Sequence, residues 1–223
     1  FLNNVKKVDE LFKSDASVWE YRDSDGNTPL SKAVQLENAE MVFTIVNNLK
    51  NRLSDLDFIT YLNTASEKGL YLIHEAALKG CLDIFKYLLE NGSDPTVLTK
   101  YGLNSLHIAC HTDQVHIAIY LVEALKFDPM QTDYRKSIPL HWACYFGSEN
   151  CVKYLLTKIP KANINALDID GYTFLHLATL IERVSLIKYL IFNGIDHKIK
   201  DNKGRTALSL ANEKDFSEAA KIL

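Results

Sequence analysis

Four histidines of this 223-residue chain, His74, His107, His141 and His176, lie 33, 34 and 35 residues apart. Each follows Ile or Leu and precedes x-Ala, and in PLHWACYFG (139–147) the histidine has a tryptophan and a cysteine nearby. These residue types could bind a metal ion or pair a thiol nucleophile with a base. Their spacing along the chain distinguishes such a chemical role from a structural one.

The regular spacing argues against a metal site. Self-similarity at this period is typical of stacked helical repeats, in which equivalent residues lie about 8–10 Å apart, whereas zinc holds its ligand atoms within about 2.3 Å. We expect the four histidines to be hydrogen-bonded structural residues, with no metal and no cofactor. Cys110 and Cys144 replace a repeat alanine and are expected to be small buried side chains, so we expect no catalytic residue in this segment.

The remainder of a repeat unit surrounds these histidines. A turn containing glycine precedes the first helix, as in DSDGNTPL (23–30) and DIDGYT (168–173). Glycine supplies the positive φ of a tight turn, and Thr or Pro suits a helix start. A second helix follows, with apolar residues at i, i+3, i+6 and i+7. Each unit is therefore predicted to be a helix-turn-helix repeat preceded by a hairpin-like finger loop.

The series DSDGNTPL, IHEAALKG, PLHWACYFG, DGYTFLHLA and DNKGRTALSLA resembles ankyrin repeats, whose mark is T-P-L-H-x-A at a 33-residue period. The resemblance implies an all-α ankyrin-repeat solenoid of about six repeats, forming a single domain over residues 1–223. The predicted organisation is a partial repeat at 1–22 and repeats that start near 23, 66, 99, 133, 168 and 201. We expect the chain to be a fragment of a larger protein.

One interval between repeats is too long. The turn glycines Gly26 and Gly69 are 43 residues apart, about ten more than the repeat period. We predict an insertion near 47–64, formed by a lengthened outer helix and a longer loop.

Composition excludes several classes of partner. The 25 Lys and Arg against 28 Asp and Glu lack the basic excess that binding to phosphate backbones requires, so we expect no nucleic acid partner. No apolar run reaches the roughly 18–20 residues of a membrane helix, and we expect no membrane insertion by this segment. The four cysteines contain no CxxC pair, which fits a reducing, cytoplasmic compartment. We expect a monomer.

The ankyrin resemblance implies that finger loops and inner-helix ends form a concave surface that binds a protein or peptide. These positions are aromatic or apolar in the central repeats, and such groupings mark interaction sites. The predicted partner-binding residues are Tyr101, Leu103, Tyr134, Arg135, Tyr145, Phe146, Tyr172 and Leu180. We expect Tyr134, Tyr145 and Phe146 to anchor an extended or helical peptide and Arg135 to act as a polar clamp. The alternative is that some of these side chains pack on one another along the fingers, or on neighbouring segments outside this chain.

The last repeats carry a narrower resemblance. The run PLHWACYFGSENCVKYLL, with NINALDIDGYTFLHLAT and KYLIFNGIDHKIKDNKGRTALSLANE, is similar to the ankyrin region of membrane palmitoyltransferases with an Asp-His-His-Cys active site. That region recruits substrates on the cytosolic side of the membrane. Three functions stay open: a non-catalytic protein-binding module, a substrate-recruiting region whose catalytic domain lies outside this chain, and a structural spacer.

Asn165 is a candidate modification site. It falls where ankyrin repeats carry an asparagine that asparaginyl hydroxylases modify. Its structural alternative is a turn residue that caps its own backbone.

Overall fold

The computed structural model describes residues 4–15 and 17–223. The regular elements of these two ranges are helices, and no β-strand occurs within them. The chain divides into two compact units, unit 1 (Phe1–Lys100) and unit 2 (Tyr101–Leu223). The predicted all-α class is confirmed, while the repeat boundaries and the fragment assignment stay predictions.

The described part of unit 1 contains six α-helices. They are α1 (Val5–Ser14), α2 (Pro29–Gln35), α3 (Ala39–Arg52), α4 (Asp55–Leu62), α5 (Leu72–Lys79) and α6 (Leu82–Glu90). A short 3-10 turn, Val18–Glu20, follows α1. The inner helix α2 packs against α3 and α5, and α5 packs against α6. Two helical layers therefore enclose the core of this unit.

The predicted insertion near 47–64 holds a helix, so the expectation of a longer loop was wrong. The outer helix α3 is lengthened to 14 residues as predicted, and α4 follows it closely. The Ser54 hydroxyl caps α4 by accepting from the amide of Asp57 at 3.2 Å, and acidic residues in the first turn suit the helix dipole. Phe58 and Leu62 bury one face of α4. This i, i+4 pair is too short a pattern to reveal a helix in sequence.

Unit 2 continues with alternating inner and outer helices. They are α7 (Ser105–His111), α8 (Val115–Ile119), α9 (Pro139–Phe146), α10 (Glu149–Leu156), α11 (Phe174–Leu180), α12 (Val184–Phe192), α13 (Ala207–Glu213) and α14 (Ser217–Ala220). A π-helical turn, Tyr120–Ala124, extends α8. The inner helices pack in series, α7 on α9, α9 on α11 and α11 on α13. This series places successive inner-helix residues side by side.

Four finger loops begin with an aspartate, and the carboxylate of this aspartate stabilises the turn by accepting backbone hydrogen bonds. One carboxylate oxygen of Asp133 accepts from the amides of Arg135 at 2.8 Å and Ser137 at 2.9 Å. The same pattern recurs in the fingers that begin at Asp23, Asp168 and Asp201. Their fourth residue is a glycine with positive φ, but Lys136 occupies this position in the Asp133 finger at φ 58°. The predicted glycine turn is therefore confirmed, with one strained exception.

Candidate functional site

The repeated histidines lie in the core and join each inner helix to the next finger. In His141, Nδ1 accepts from the amide of Ile138 at 3.1 Å, so Nε2 carries the proton and donates to the Ala166 carbonyl at 3.1 Å. His176 repeats this pair of bonds with Thr173 and Arg205. The predicted hydrogen-bonded structural role of the histidines is confirmed.

Burial keeps these histidines neutral. It lowers the pKa of His74, His107 and His141 to about 4 and lowers that of His176. A neutral imidazole could ligate a metal, but both ring nitrogens of His141 are occupied by backbone bonds. Within residues 4–15 and 17–223, no three His, Cys, Asp or Glu side chains converge as metal ligands would.

The cysteine side chains are packing residues. Cys110 and Cys144 are fully buried, as predicted. Burial raises the pKa of both thiols, and a cysteine nucleophile needs its thiolate form. These two thiols therefore stay protonated at neutral pH.

A concave groove of about 480 Å³ lies between two fingers and two inner helices of unit 2. Arg135 and Asp170 of the fingers, Tyr145 and Phe146 at the end of α9, and Leu180 at the end of α11 line it. The sequence had predicted four of these five residues as binding residues. The structure therefore brings the central predictions together on one surface.

Aromatic rings cover the α9 side of this groove. Trp142 and Phe146 stack with ring centroids 5.6 Å apart, and Tyr145 meets Phe146 edge-on at 5.0 Å. His111 lies against Phe146 with centroids 4.0 Å apart. Part of each ring packs on its neighbours, yet Tyr145 and Phe146 are still exposed. The two readings of this patch, mutual packing and exposure, both hold in part.

Tyr101 and Tyr134 lie at the finger tips and are the most exposed of the predicted aromatic residues, at 61% and 70%. The Tyr134 amide donates to the Tyr101 carbonyl at 3.2 Å, which links the two fingers. The Tyr134 ring lies over Gly102, where a Cβ atom would approach it to 2.6 Å. Gly102 thus permits the position of this ring.

The polar groups of two predicted binding residues, Arg135 and Tyr172, already bond to other residues of unit 2. The Arg135 guanidinium forms an ion pair with the Asp170 carboxylate, which orders the fingers but leaves other guanidinium donors for a ligand. The Tyr172 hydroxyl accepts from the Arg205 guanidinium at 2.9 Å. Tyr172 lines the groove with its half-buried ring.

Leu103 does not lie on the surface. Its side chain is only 5% exposed, because it anchors the base of its finger in the core. We therefore omit it from the proposed surface. The sequence pattern could not separate Leu103 from Tyr101, because finger residues alternate between tip and core.

Trp142 is not among the residues that the sequence predicted to bind a partner, but its half-buried ring also lines the groove. The Trp142 indole Nε1 donates to the Asp133 carboxylate at 2.9 Å, which fixes the ring against the finger. The sequence position of Trp142 could have indicated this. It follows the repeat histidine in the pattern [Ile/Leu]-His-x-Ala, and this position faces the concave side. Glu75 has this same place in unit 1.

Asn165 makes a structural bond through its side chain. Its Oδ1 accepts from the amide of Asp196 at 2.9 Å, so it caps a later turn rather than its own backbone. Asn63 makes the equivalent bond to Asp94 in unit 1 at 2.7 Å. Hydroxylation of Asn165 stays a prediction, which intact-mass analysis of natively expressed protein would test by an added oxygen.

None of the helices in the described ranges is long and apolar enough to cross a membrane.

Comparison with known proteins identifies the repeat. The profile for three copies of the ankyrin repeat matches residues 73–168, and the single ankyrin repeat profile matches residues 170–202. Together they cover more than half of the chain.

Similar proteins differ widely in overall length. The chain is 33% identical over 174 residues to palmitoyltransferase AKR1 of Lachancea kluyveri, covering 74% of this chain and 23% of that protein. It is 29% identical over 189 residues to human SH3 and multiple ankyrin repeat domains protein 2, covering 83% of this chain and 10% of that protein. It is 26% identical over 212 residues to the probable 26S proteasome regulatory subunit p28 of Saccharomyces cerevisiae, covering 94% of this chain and 89% of that protein.

The chain thus spans about a quarter or less of the first two relatives. The repeated inner and outer helices, the aspartate-led fingers, the bridging histidines and the matched profiles all describe one family. This chain belongs to the ankyrin repeat family.

Proposed function

We propose that this chain is a non-catalytic module that recruits a protein partner through the concave groove of unit 2. Ankyrin repeats are typically protein-interaction modules. The observation that carries the proposal is the exposure of Tyr145 and Phe146 in one groove, with the exposed Tyr134 at the tip of a finger whose other residues line that groove. Exposed aromatic residues grouped in this way are typical interaction hot spots.

The groove favours a peptide segment that combines an apolar and a polar side chain. The rings of Tyr145 and Phe146 offer an apolar wall, and Leu180 extends that wall on the next inner helix. The ion pair between Arg135 and Asp170 lies at the finger side, where its remaining donors and acceptors can bond a peptide backbone. An extended or helical segment of a protein fits this arrangement.

Affinity capture from native cell lysate tests this proposal. The test variant is Tyr134→Ala/Tyr145→Ala/Phe146→Ala, and the control variant is Phe192→Ala/Ile119→Ala, which removes exposed apolar side chains from outer helices. Matching helical circular dichroism would establish that both variants fold. We expect specific partners to be lost only from the groove variant. Identical captures from all three proteins would contradict the proposal and favour the structural spacer.

A second candidate function rests on the relative AKR1. We propose, as the alternative, that the chain is the substrate-recruiting ankyrin region of a palmitoyltransferase, on the cytosolic side of a membrane. The similarity to palmitoyltransferase AKR1 supports it, although the chain spans only 23% of the Lachancea protein. Partners that depend on the groove would then carry S-acyl cysteines, detected by hydroxylamine-dependent exchange. Groove-dependent partners without S-acylation would exclude this alternative.

We also propose that the chain acts as a monomer in the cytoplasm. Sedimentation equilibrium of the whole chain tests the first part of this statement, and imaging of the natively expressed protein tests the second.

A further inference from the structure

Unit 1 contains a second cavity, of about 450 Å³, that the groove of unit 2 does not share. The first two fingers (23–27 and 66–70) and the inner helices α2 and α5 form part of its lining, and the inserted helix α4 adds a wall of its own. The Glu67 side chain lies over Gly26, with a carboxylate oxygen 2.8 Å from where a Cβ would be. The cavity is therefore a product of the insertion together with the first two fingers.

A buried carboxylate lies on the inner-helix side of this cavity. Glu75 lines the cavity and is only 5% exposed. The Ser31 hydroxyl donates to Glu75 Oε2 at 2.7 Å, and Gln35 Nε2 donates to Oε1 at 3.2 Å. Both donors are neutral, and no Lys or Arg nitrogen within residues 4–15 and 17–223 pairs with this carboxylate within 4.0 Å. Buried glutamates are normally paired with a cation.

The surroundings of Glu75 fit an incoming cation. Burial raises the pKa of Glu75, and the bonds from Ser31 and Gln35 together with the positive charge of Lys68 offset this only in part. Each carboxylate oxygen accepts one bond from these donors and keeps further acceptor capacity. An ammonium group placed beside Glu75 would supply both the missing charge and additional donors.

The walls of the cavity fit an aliphatic stem. Trp19 and Tyr61 meet edge-on with ring centroids 5.6 Å apart, and Leu53 and Leu70 add aliphatic lining. A lysine side chain combines four methylene groups with a charged head, so it can pack along such walls while its ammonium reaches a carboxylate. The cavity volume is ample for one such side chain.

The charges around the cavity also favour a cation. Three carboxylates, Asp57, Glu67 and Glu75, line it together with one guanidinium, that of Arg22. Arg22 Nη1 donates to the carbonyls of Glu20 at 2.8 Å and Tyr21 at 3.1 Å. Arg22 is thus used to hold the preceding turn, and the net charge of the lining is negative.

We infer that this cavity is a binding site for a lysine side chain of a protein partner, with Glu75 as the counter-charge and Trp19 and Tyr61 as the walls of the stem channel. The site is separate from the groove of unit 2 and does not depend on the function proposed for it.

An NMR titration of the whole chain tests the inference. The probe is Nα-acetyl-lysine N-methylamide, and the signal followed is the indole N–H of Trp19. Its counterpart acetylated on Nε keeps the stem but removes the charge, and n-butylamine keeps the charge and stem but removes the backbone. We expect a saturable shift with the first probe, none with the Nε-acetylated probe, and weaker binding of n-butylamine.

Matched variants assign the binding to the cavity. Glu75→Gln keeps the shape of the side chain but removes its negative charge. We expect it to weaken binding of the charged probe by about tenfold or more, which corresponds to about 1.4 kcal/mol or more. Glu40→Gln, an exposed residue of α3 outside the cavity, is expected to leave binding unchanged. Thr64→Arg places a cation at the exposed rim and is expected to abolish binding; it decides the question if Glu75→Gln fails to fold.

Three results would overturn the inference. Equal shifts with the charged and Nε-acetylated probes would show that no cation is recognised. Unchanged binding by folded Glu75→Gln or Thr64→Arg would place the probe elsewhere. Binding of n-butylamine as tight as that of the lysine probe would assign the site to a free amine instead of a protein side chain.

Discussion

Units 1 and 2 differ at the position that follows the repeat histidine of the inner helix. In unit 2 the repeat histidine is present three times and the residue after it is apolar, as Ile108, Trp142 or Leu177. In unit 1 that residue is Glu75, whereas serine replaces the histidine once in each unit, as Ser31 and as Ser209. The Ser31 hydroxyl donates to the Glu75 carboxylate at 2.7 Å.

The histidines themselves also differ between the units. Both ring nitrogens of His141 and His176 have hydrogen-bond partners. In His74, Nε2 contacts the Val97 carbonyl at 3.1 Å, but Nδ1 has no partner among the described residues. Unit 2 therefore follows the repeat pattern closely and uses surface rings for its groove. Unit 1 departs from the pattern inside the helix stack, where Ser31 and Glu75 give the cavity a polar lining.

The largest expected difference between the units is their response to acid. A histidine whose folded pKa is about 4, against an ordinary 6.5, contributes stability above pH 6.5 that is lost as pH falls toward 4. Unit 2 has two such residues, His107 and His141, and unit 1 has His74. At pH 5 each would cost about 2 kcal/mol.

Glu75 acts in the opposite direction. Burial raises the pKa of Glu75. Its contribution to the free energy of unfolding is therefore lost as pH rises through the raised pKa, and it returns as pH falls. We therefore expect unit 2 to lose more stability than unit 1 between pH 7 and pH 5. Urea unfolding at both pH values, followed by tryptophan fluorescence, measures these losses. Trp19→Phe leaves Trp142 as the reporter of unit 2, and Trp142→Phe leaves Trp19 as the reporter of unit 1. Equal losses would contradict the comparison.

The next effect separates the histidines directly. His141→Ala removes two hydrogen bonds in the core, whereas His74→Ala removes only one. We expect His141→Ala to lower the free energy of unfolding by about 1 kcal/mol more than His74→Ala, because it also leaves the amide of Ile138 without its acceptor. Urea unfolding at pH 7 measures both values. A larger loss of unfolding free energy in His74→Ala than in His141→Ala would contradict this expectation. It would show that His74 stabilises the fold at least as well as His141 although its Nδ1 has no partner among the described residues.

The smallest effect concerns the finger glycines. Gly26 and Gly102 both have positive φ, so alanine at either position is expected to cost about 1 kcal/mol of stability. In Gly102→Ala the new Cβ also meets the Tyr134 ring, while in Gly26→Ala it meets the flexible Glu67 side chain. We expect only Gly102→Ala to weaken partner capture by the groove of unit 2.

Gly204→Ala is the control for this pair. Its φ is positive and no atom lies within 4 Å of the added Cβ, so it reports backbone strain alone. If Gly204→Ala weakens partner capture as much as Gly102→Ala does, the position of Tyr134 is not the cause.

Much of the fold could be predicted from sequence because repetition supplies several independent copies of each signal. The period of the histidines, the aspartate-led turns and the apolar spacing of the outer helices all indicate ankyrin repeats. The insertion has no second copy in the chain, and α4 was accordingly mistaken for a loop. The exposure of Tyr134, Tyr145 and Phe146 was expected on the same grounds of repeat position, but the burial of Leu103 was not.

The sequence by itself determined the helical repeat, the structural histidines and the general face on which binding residues lie, because these follow from local spacing. Only the tertiary structure decided which side chains meet. Ser31 and Glu75 lie 44 residues apart in sequence yet share a hydrogen bond, and Arg135 pairs with Asp170 across two fingers. Such contacts depend on how neighbouring repeats stack, and the spacing within a single repeat does not contain that information.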